Sequence, residues 1–167
     1  MKKWMCGLMA AVVALGLTAC GGKETATAWT KEQGQGIVDS GAFSDELDEL
    51  DLDTACAVYG LDRQQVTDGF VRRSAGATCE EAAVLIFDSE DHAKAAAETL
   101  SGYVQDQIDQ NRDYRPAEVP KLENKWLEQR GNTVLLVVAN DLKAAQDAVK
   151  EGNRSTESSG SGACIMQ

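Results

Sequence analysis

Cys20 follows Leu17, Thr18 and Ala19 and precedes Gly21 and Gly22. A thiol framed by small side chains is a nucleophile open to alkylation, and small neighbours suit the narrow site of a peptidase. Cys56 and Cys79 are the other thiols inside the patterned part of the chain. In an oxidising setting they could pair, closing a loop of about 23 residues and adding ~3 kcal/mol in the chain-entropy picture. The alternative is two buried thiols, since cysteine packs well as a small apolar side chain. No Cys-x-x-Cys pair occurs, so redox chemistry is not expected. Asp45, Asp48, Asp51 and Asp53 offer the oxygen ligands a hard cation takes, but they lack the glycine and terminal glutamate of a calcium loop. The alternative there is a solvated acidic face. His92 is the single histidine, which excludes a His-rich metal site and leaves a hydrolytic triad no suitable base. Neither a G-x-S-x-G elbow nor a glycine-rich phosphate loop is present. No catalytic residue, metal ligand or cofactor is therefore expected.

The setting of Cys20 is more informative than its chemistry alone. Lys2 and Lys3 form a positive start, and an apolar stretch follows from Trp4 to Ala19. That stretch is shorter than the ~20 residues a spanning helix needs, and it has the proportions of a secretory signal peptide. Leu17-Thr18-Ala19-Cys20 resembles a bacterial lipobox, in which the cysteine receives a thioether-linked diacylglyceryl group before cleavage. Residues 1–19 are thus expected to be a lipoprotein signal peptide and 20–28 a lipidated tether. Two acyl chains hold a protein stably on a membrane where one does not. The expected location is the outer face of the cytoplasmic membrane. Cys164-Ile165-Met166-Gln167 matches a prenylation box, but an exported chain would not meet a prenyltransferase.

The chain has 167 residues, 43% of them hydrophobic and 26% charged, with a formal net charge of −11. Length and composition fit one globular domain and exclude a wholly disordered protein. A surplus of 27 acidic over 16 basic residues argues against nucleic acid as a partner, because phosphate contacts need clustered Lys and Arg.

The elements that would carry a site lie between residues 29 and 150. Trp29 to Ser40 is a weak helix candidate, since Gly34 and Gly36 each cost about 1 kcal/mol relative to alanine. Leu47 and Leu50 in the acidic run stand at near-helical spacing and lead to Tyr59-Gly60, where Gly60 would stop a helix. Asp62 and Gln65 resemble a capping box. Extended segments are predicted over Gly69 to Ala75 and Ala82 to Phe87. Asp88 to Asp91 would then cap a helix whose apolar stripe is Ala93, Ala96, Ala97, Leu100, Val104 and Ile108. Pro116 and Pro120 mark an irregular connection. Lys125 to Arg130 and Thr133 to Ala139 form a hairpin through Gly131-Asn132, and the unbroken Val134 to Val138 run suits a strand that is either covered on both faces or central. Asp141 caps a last helix. Residues 151–167 are rich in Ser and Gly and predict a flexible tail. The order predicts an α+β fold: a two-layer sandwich with a mainly antiparallel four-stranded sheet and helices on one face, arranged as an N-terminal helical region followed by ββαββα.

Several of these segments resemble one family. They are the acidic run leading to Tyr59-Gly60-Leu61-Asp62, the strand Glu81-Ala82-Ala83-Val84, and Tyr114-Arg115-Pro116. Lys121-Leu122-Glu123-Asn124 and Gly131-Asn132-Thr133-Val134-Leu135-Leu136-Val137-Val138 complete the set. Together with the lipobox, they make the chain similar to the family of domain of unknown function 4358, over most of the span from Phe43 to Val149. Cys56, Cys79 and the Ser/Gly tail depart from that pattern. The resemblance implies a small surface lipoprotein of Firmicutes type and carries no catalytic residues. The functional expectation is a non-enzymatic binding or interaction module, anchored to the membrane through Cys20 and facing a protein or envelope partner. The alternatives are a cation or small-solute binding lipoprotein and a small envelope hydrolase.

Overall fold

The computed structural model describes residues 27–159. Cys20, the leader before it, most of the tether and Cys164 lie outside the described residues. Trp29 locks the start of the domain in place. Its backbone N–H donates to Thr133 Oγ1 at 2.8 Å and its indole N–H to the Glu128 carbonyl at 3.0 Å. The Arg130 guanidinium lies 3.5 Å over its ring, and Trp126 meets it edge-on.

Helix α1 (Lys31–Asp39) opens with a complete capping box between Thr30 and Gln33. Its two glycines have different roles. A Cβ on Gly34 would stand 2.7 Å from Phe70 and 3.2 Å from Val84, whereas a Cβ on Gly36 would meet nothing within 4 Å. Gly34 is therefore what lets the helix lie close on the sheet. Gly36→Ala is expected to stabilise the protein by about 1 kcal/mol through helix propensity. Gly34→Ala should instead destabilise it, and a pair of urea titrations would show the opposite signs.

The acidic run does not form one helix. Leu47–Glu49 is strand β1, and helix α2 (Leu52–Tyr59) starts only after Asp51, whose carboxylate accepts the Thr54 N–H. Charge pairing explains the break. Asp48 and Glu49 stand opposite Arg73 and Arg72 across the strands, and Glu49 ion-pairs with Arg72 at 3.0 Å. Gly60 ends α2 at φ 70°, as its position predicts. Asp62 then caps a short 3-10 turn over Arg63–Gln65.

Strands β2 (Val66–Ser74) and β3 (Glu81–Phe87) come next, followed by α3 (Glu90–Tyr114), capped by Ser89. The connection containing Pro116 and Pro120 holds a short helix, α4 (Val119–Glu123). Pro120 sits in its first turn, where a missing N–H is harmless. Strands β4 (Trp126–Arg130) and β5 (Thr133–Val138) form the expected hairpin, with Gly131 at φ 53°. Helix α5 (Leu142–Ser159) runs on into the segment whose composition predicts a tail. Asp147 paired with Lys150, and a Gln33–Asn153 hydrogen bond to α1, support that extension.

The fold is α+β, with every strand pair antiparallel in the order β1-β2-β3-β5-β4. Two features differ from expectation. The sheet has five strands rather than four, because the acidic run contributes β1. Helices cover both faces rather than one. Ala83, Leu85, Val134 and Leu136 face α2 and α3, while Ala82, Val84, Leu135 and Val137 pack with Trp29, α1 and α5. Strands β3 and β5, paired at the middle of the sheet, are apolar from Ala82 to Phe87 and from Val134 to Val138, so both faces must be buried there. Each Val or Leu so buried contributes about 1.5–3 kcal/mol.

Candidate functional site

Most of the buried polar residues, Ser74, Glu80, Glu81, Asn111 and Glu118, gather at one end of the sheet, where β2 ends and β3 begins. Two adjacent glutamates start there and go separate ways. Glu80 is fully buried. Its carboxylate accepts the Ser44 N–H and hydroxyl at 2.9 and 2.7 Å, the Asp45 N–H at 3.0 Å, and the Lys121 ammonium at 3.0 Å. Lys121 also pairs with Glu118 at 3.1 Å, and Glu118 accepts the Cys79 N–H. This network ties α4 to the loop before β1.

Glu81 points to the other side, as period two along β3 requires. It is 1% exposed and accepts the Tyr59 hydroxyl at 2.9 Å and the Tyr103 hydroxyl at 3.4 Å. The two rings meet edge to face with centroids 5.0 Å apart. Burial pushes the Glu81 carboxyl up to about 7, although Arg73 and the two phenols pull the other way. Burial likewise raises the Tyr59 and Tyr103 hydroxyls, with the Glu81 charge adding to it. The Glu81 charge thus favours both phenols in their protonated form, while the phenols' hydrogen bonds favour the ionised carboxylate against its burial.

Above this buried group lies an open cleft of about 410 Å³ between β1, the β2–β3 loop and the end of α3. Arg73 reaches from its wall to within 3.7 Å of Glu81. Arg115 is held in place by Asn111 Oδ1 at 2.7 Å and the Gly76 carbonyl at 2.9 Å. The Ser74 hydroxyl donates to Asp45 and accepts the N–H groups of Gly76 and Thr78, which folds the loop back on itself. Among the described residues no buried side-chain nitrogen or oxygen lacks a hydrogen-bond partner.

The strands that frame this cleft lie within one family. The model of the family described as Domain of unknown function (DUF4358) matches residues 39–139. The chain belongs to that family. The match holds the whole sheet, the buried glutamates and the cleft, whereas nearly all of α1 and all of α5 fall outside it. No curated protein and no solved structure matches the chain.

The residues with chemical promise in the sequence are largely scattered in this domain of the DUF4358 family. Cys56 on α2 and Cys79 ahead of β3 belong to the same core cluster and are free, buried thiols. Burial pushes both thiols up, away from the reactive thiolate. Asp45 engages Ser74, Asp51 caps α2, and Asp53 pairs with Arg63 at 2.6 Å. Only Asp48 and Glu49 of the acidic run reach the cleft. His92 pairs with Asp88 one turn back on the surface. Among the described residues no group of three or more His, Cys, Asp or Glu side chains could hold a metal ion.

Glu80, Glu81, Tyr59, Tyr103, Arg73, Arg115 and Lys121 form the candidate site, and reasoning from the sequence passed over them. One signal was available. Two consecutive glutamates directly before an apolar run place at least one carboxylate on a buried face of the strand.

Proposed function

We propose that this chain is a bacterial lipoprotein, held on the outer face of the cytoplasmic membrane by a diacylglyceryl group on Cys20, and that its domain works by binding rather than catalysis. The leader, its length and the lipobox support the anchor. Among the described residues, no helix is long and apolar enough to cross a membrane. The observation that carries the binding reading is the cleft beside Arg73 and Arg115, a preformed recess of small-ligand size with polar groups converging on it. Among the described residues the one carboxyl raised towards neutrality, Glu81, sits beneath that cleft in phenol hydrogen bonds and is not part of its wall. A general acid needs access to its substrate, so this placement favours binding over hydrolysis.

Crosslinking in intact cells, followed by pull-down of the full chain beside a Cys20→Ala control, tests the reading. A reproducible partner recovered only with the anchored protein is the expected result. Recovery of nothing above the control would count against a protein partner. The same comparison of membrane and released fractions tests the anchor: Cys20→Ala should move the protein off the membrane.

A further inference from the structure

We propose that the cleft at the end of β1 and β2 binds a small solute through a carboxylate, gripped by the guanidinium groups of Arg73 and Arg115. This rests on the binding reading above and names its ligand chemistry. Arg73 has the decisive geometry. Its contact with Glu81 is an ion pair of 3.7 Å, too long for a hydrogen bond, and Glu81 already takes its hydrogen bonds from Tyr59 and Tyr103. No acceptor among the described residues takes a side-chain N–H of Arg73, though its side chain is only 32% exposed. A guanidinium carries five donors in a planar fork, so a half-buried one with no acceptor is prepared for an anion from outside.

Arg115 supplies the second, fixed cation. Its Nε and Nη1 are tied to Asn111 and Gly76, which sets its position and leaves Nη2 without an acceptor among the described residues. Two guanidinium groups lining one recess, one anchored by hydrogen bonds and one ion-paired to Glu81 but with no hydrogen-bond acceptor among the described residues, match the two oxygens of a planar carboxylate. The rim narrows the choice of anion. Asp48 and Glu49 also line the cleft, and only Glu49 is neutralised, by Arg72. These acids oppose a multiply charged phosphate or sulfate more than a singly charged carboxylate. The net charge of −11 gives an anion no long-range attraction, so recognition depends on these short contacts.

The test is a thermal-melting screen of the full chain in detergent. The probes are small mono- and dicarboxylic acids and free amino acids at millimolar concentration, with inorganic phosphate and chloride as controls. Calorimetry follows for any acid that raises the midpoint. The expected result is a carboxylate that binds, while its methyl ester does not. Its affinity should fall on the order of tenfold to a hundredfold in Arg73→Gln and in Arg115→Gln. Arg73→Lys keeps a cation near Glu81 without the fork, so it should melt like the parent yet bind weakly. A silent panel, an equal response to phosphate or chloride, or undiminished binding by Arg73→Lys would overturn the proposal. A partner recovered by crosslinking alongside a silent panel would leave the binding reading standing and this ligand chemistry refuted.

Discussion

Replacing Glu81 by glutamine is expected to remove a pH dependence of stability worth about 3 kcal/mol between pH 4.5 and 7. The carboxyl is raised from an ordinary 4.5 to about 7 in the fold, first by burial, against the pull of Arg73, Tyr59 and Tyr103. Between those two values the folded protein holds a proton that the unfolded chain has released. Stability from this group is therefore full below pH 4.5, falls as pH rises, and is gone above about 7. Each pH unit of that interval is worth about 1.4 kcal/mol. Glutamine imitates the protonated acid at every pH. Glu81→Gln should match the parent near pH 5 and be the more stable of the two at pH 8. Carboxylates such as Asp51, Asp68 and Asp88 are held low by hydrogen bonds and ion pairs, and they slope the other way in both proteins. The difference between the two urea-denaturation curves isolates Glu81, and a difference that does not change with pH would refute the account.

Lys121→Met should cost about 3–5 kcal/mol, because it leaves charged partners buried without their cation. Among the described residues Lys121 is the only ammonium reaching Glu80 and Glu118, and its side chain is 15% exposed. Burial opposes its charge, but the two carboxylates outweigh that and hold it above its ordinary range. A domain of this size has roughly 5–15 kcal/mol in all, so the loss is a large share of the total. The double variant Glu80→Gln, Lys121→Met removes one of the stranded charges and should recover part of the cost. Strictly additive losses would show that the pair is not coupled. Lys143→Met, on the open face of α5, should leave the urea midpoint nearly unmoved, since water already screens its pair with Asp147.

Local rules carried most of the secondary structure. Ser89 within the expected capping segment caps α3, Asp62 caps its short turn, Gly60 and Gly131 take positive φ, and the stripe through Ala93, Leu100 and Ile108 is buried along α3. These succeed because a cap or a turn needs only near neighbours in the chain. The acidic run misled for the converse reason. Leu47 and Leu50 show helical spacing, yet the segment pairs with β2, where Arg72, more than twenty residues on, forms an ion pair with Glu49. The unbroken apolar run from Val134 to Val138 already implied cover on both faces of the sheet. Placing all helices on one side was inconsistent with it, and Trp29, α1 and α5 supply the second layer.

The candidate site was the least legible part. Arg73, Glu81, Tyr103 and Arg115 come from β2, β3, α3 and the residue just after α3, and their types and spacing match no local motif. What the sequence by itself determined is the α+β class, the family and most element boundaries, because each depends on composition or on contacts within a few residues. Only the tertiary structure decided which acids are buried, which arginine lacks an acceptor and where the cleft opens. Those properties depend on which distant side chains share a low-dielectric interior, and that is settled when the sheet closes between its two helical layers.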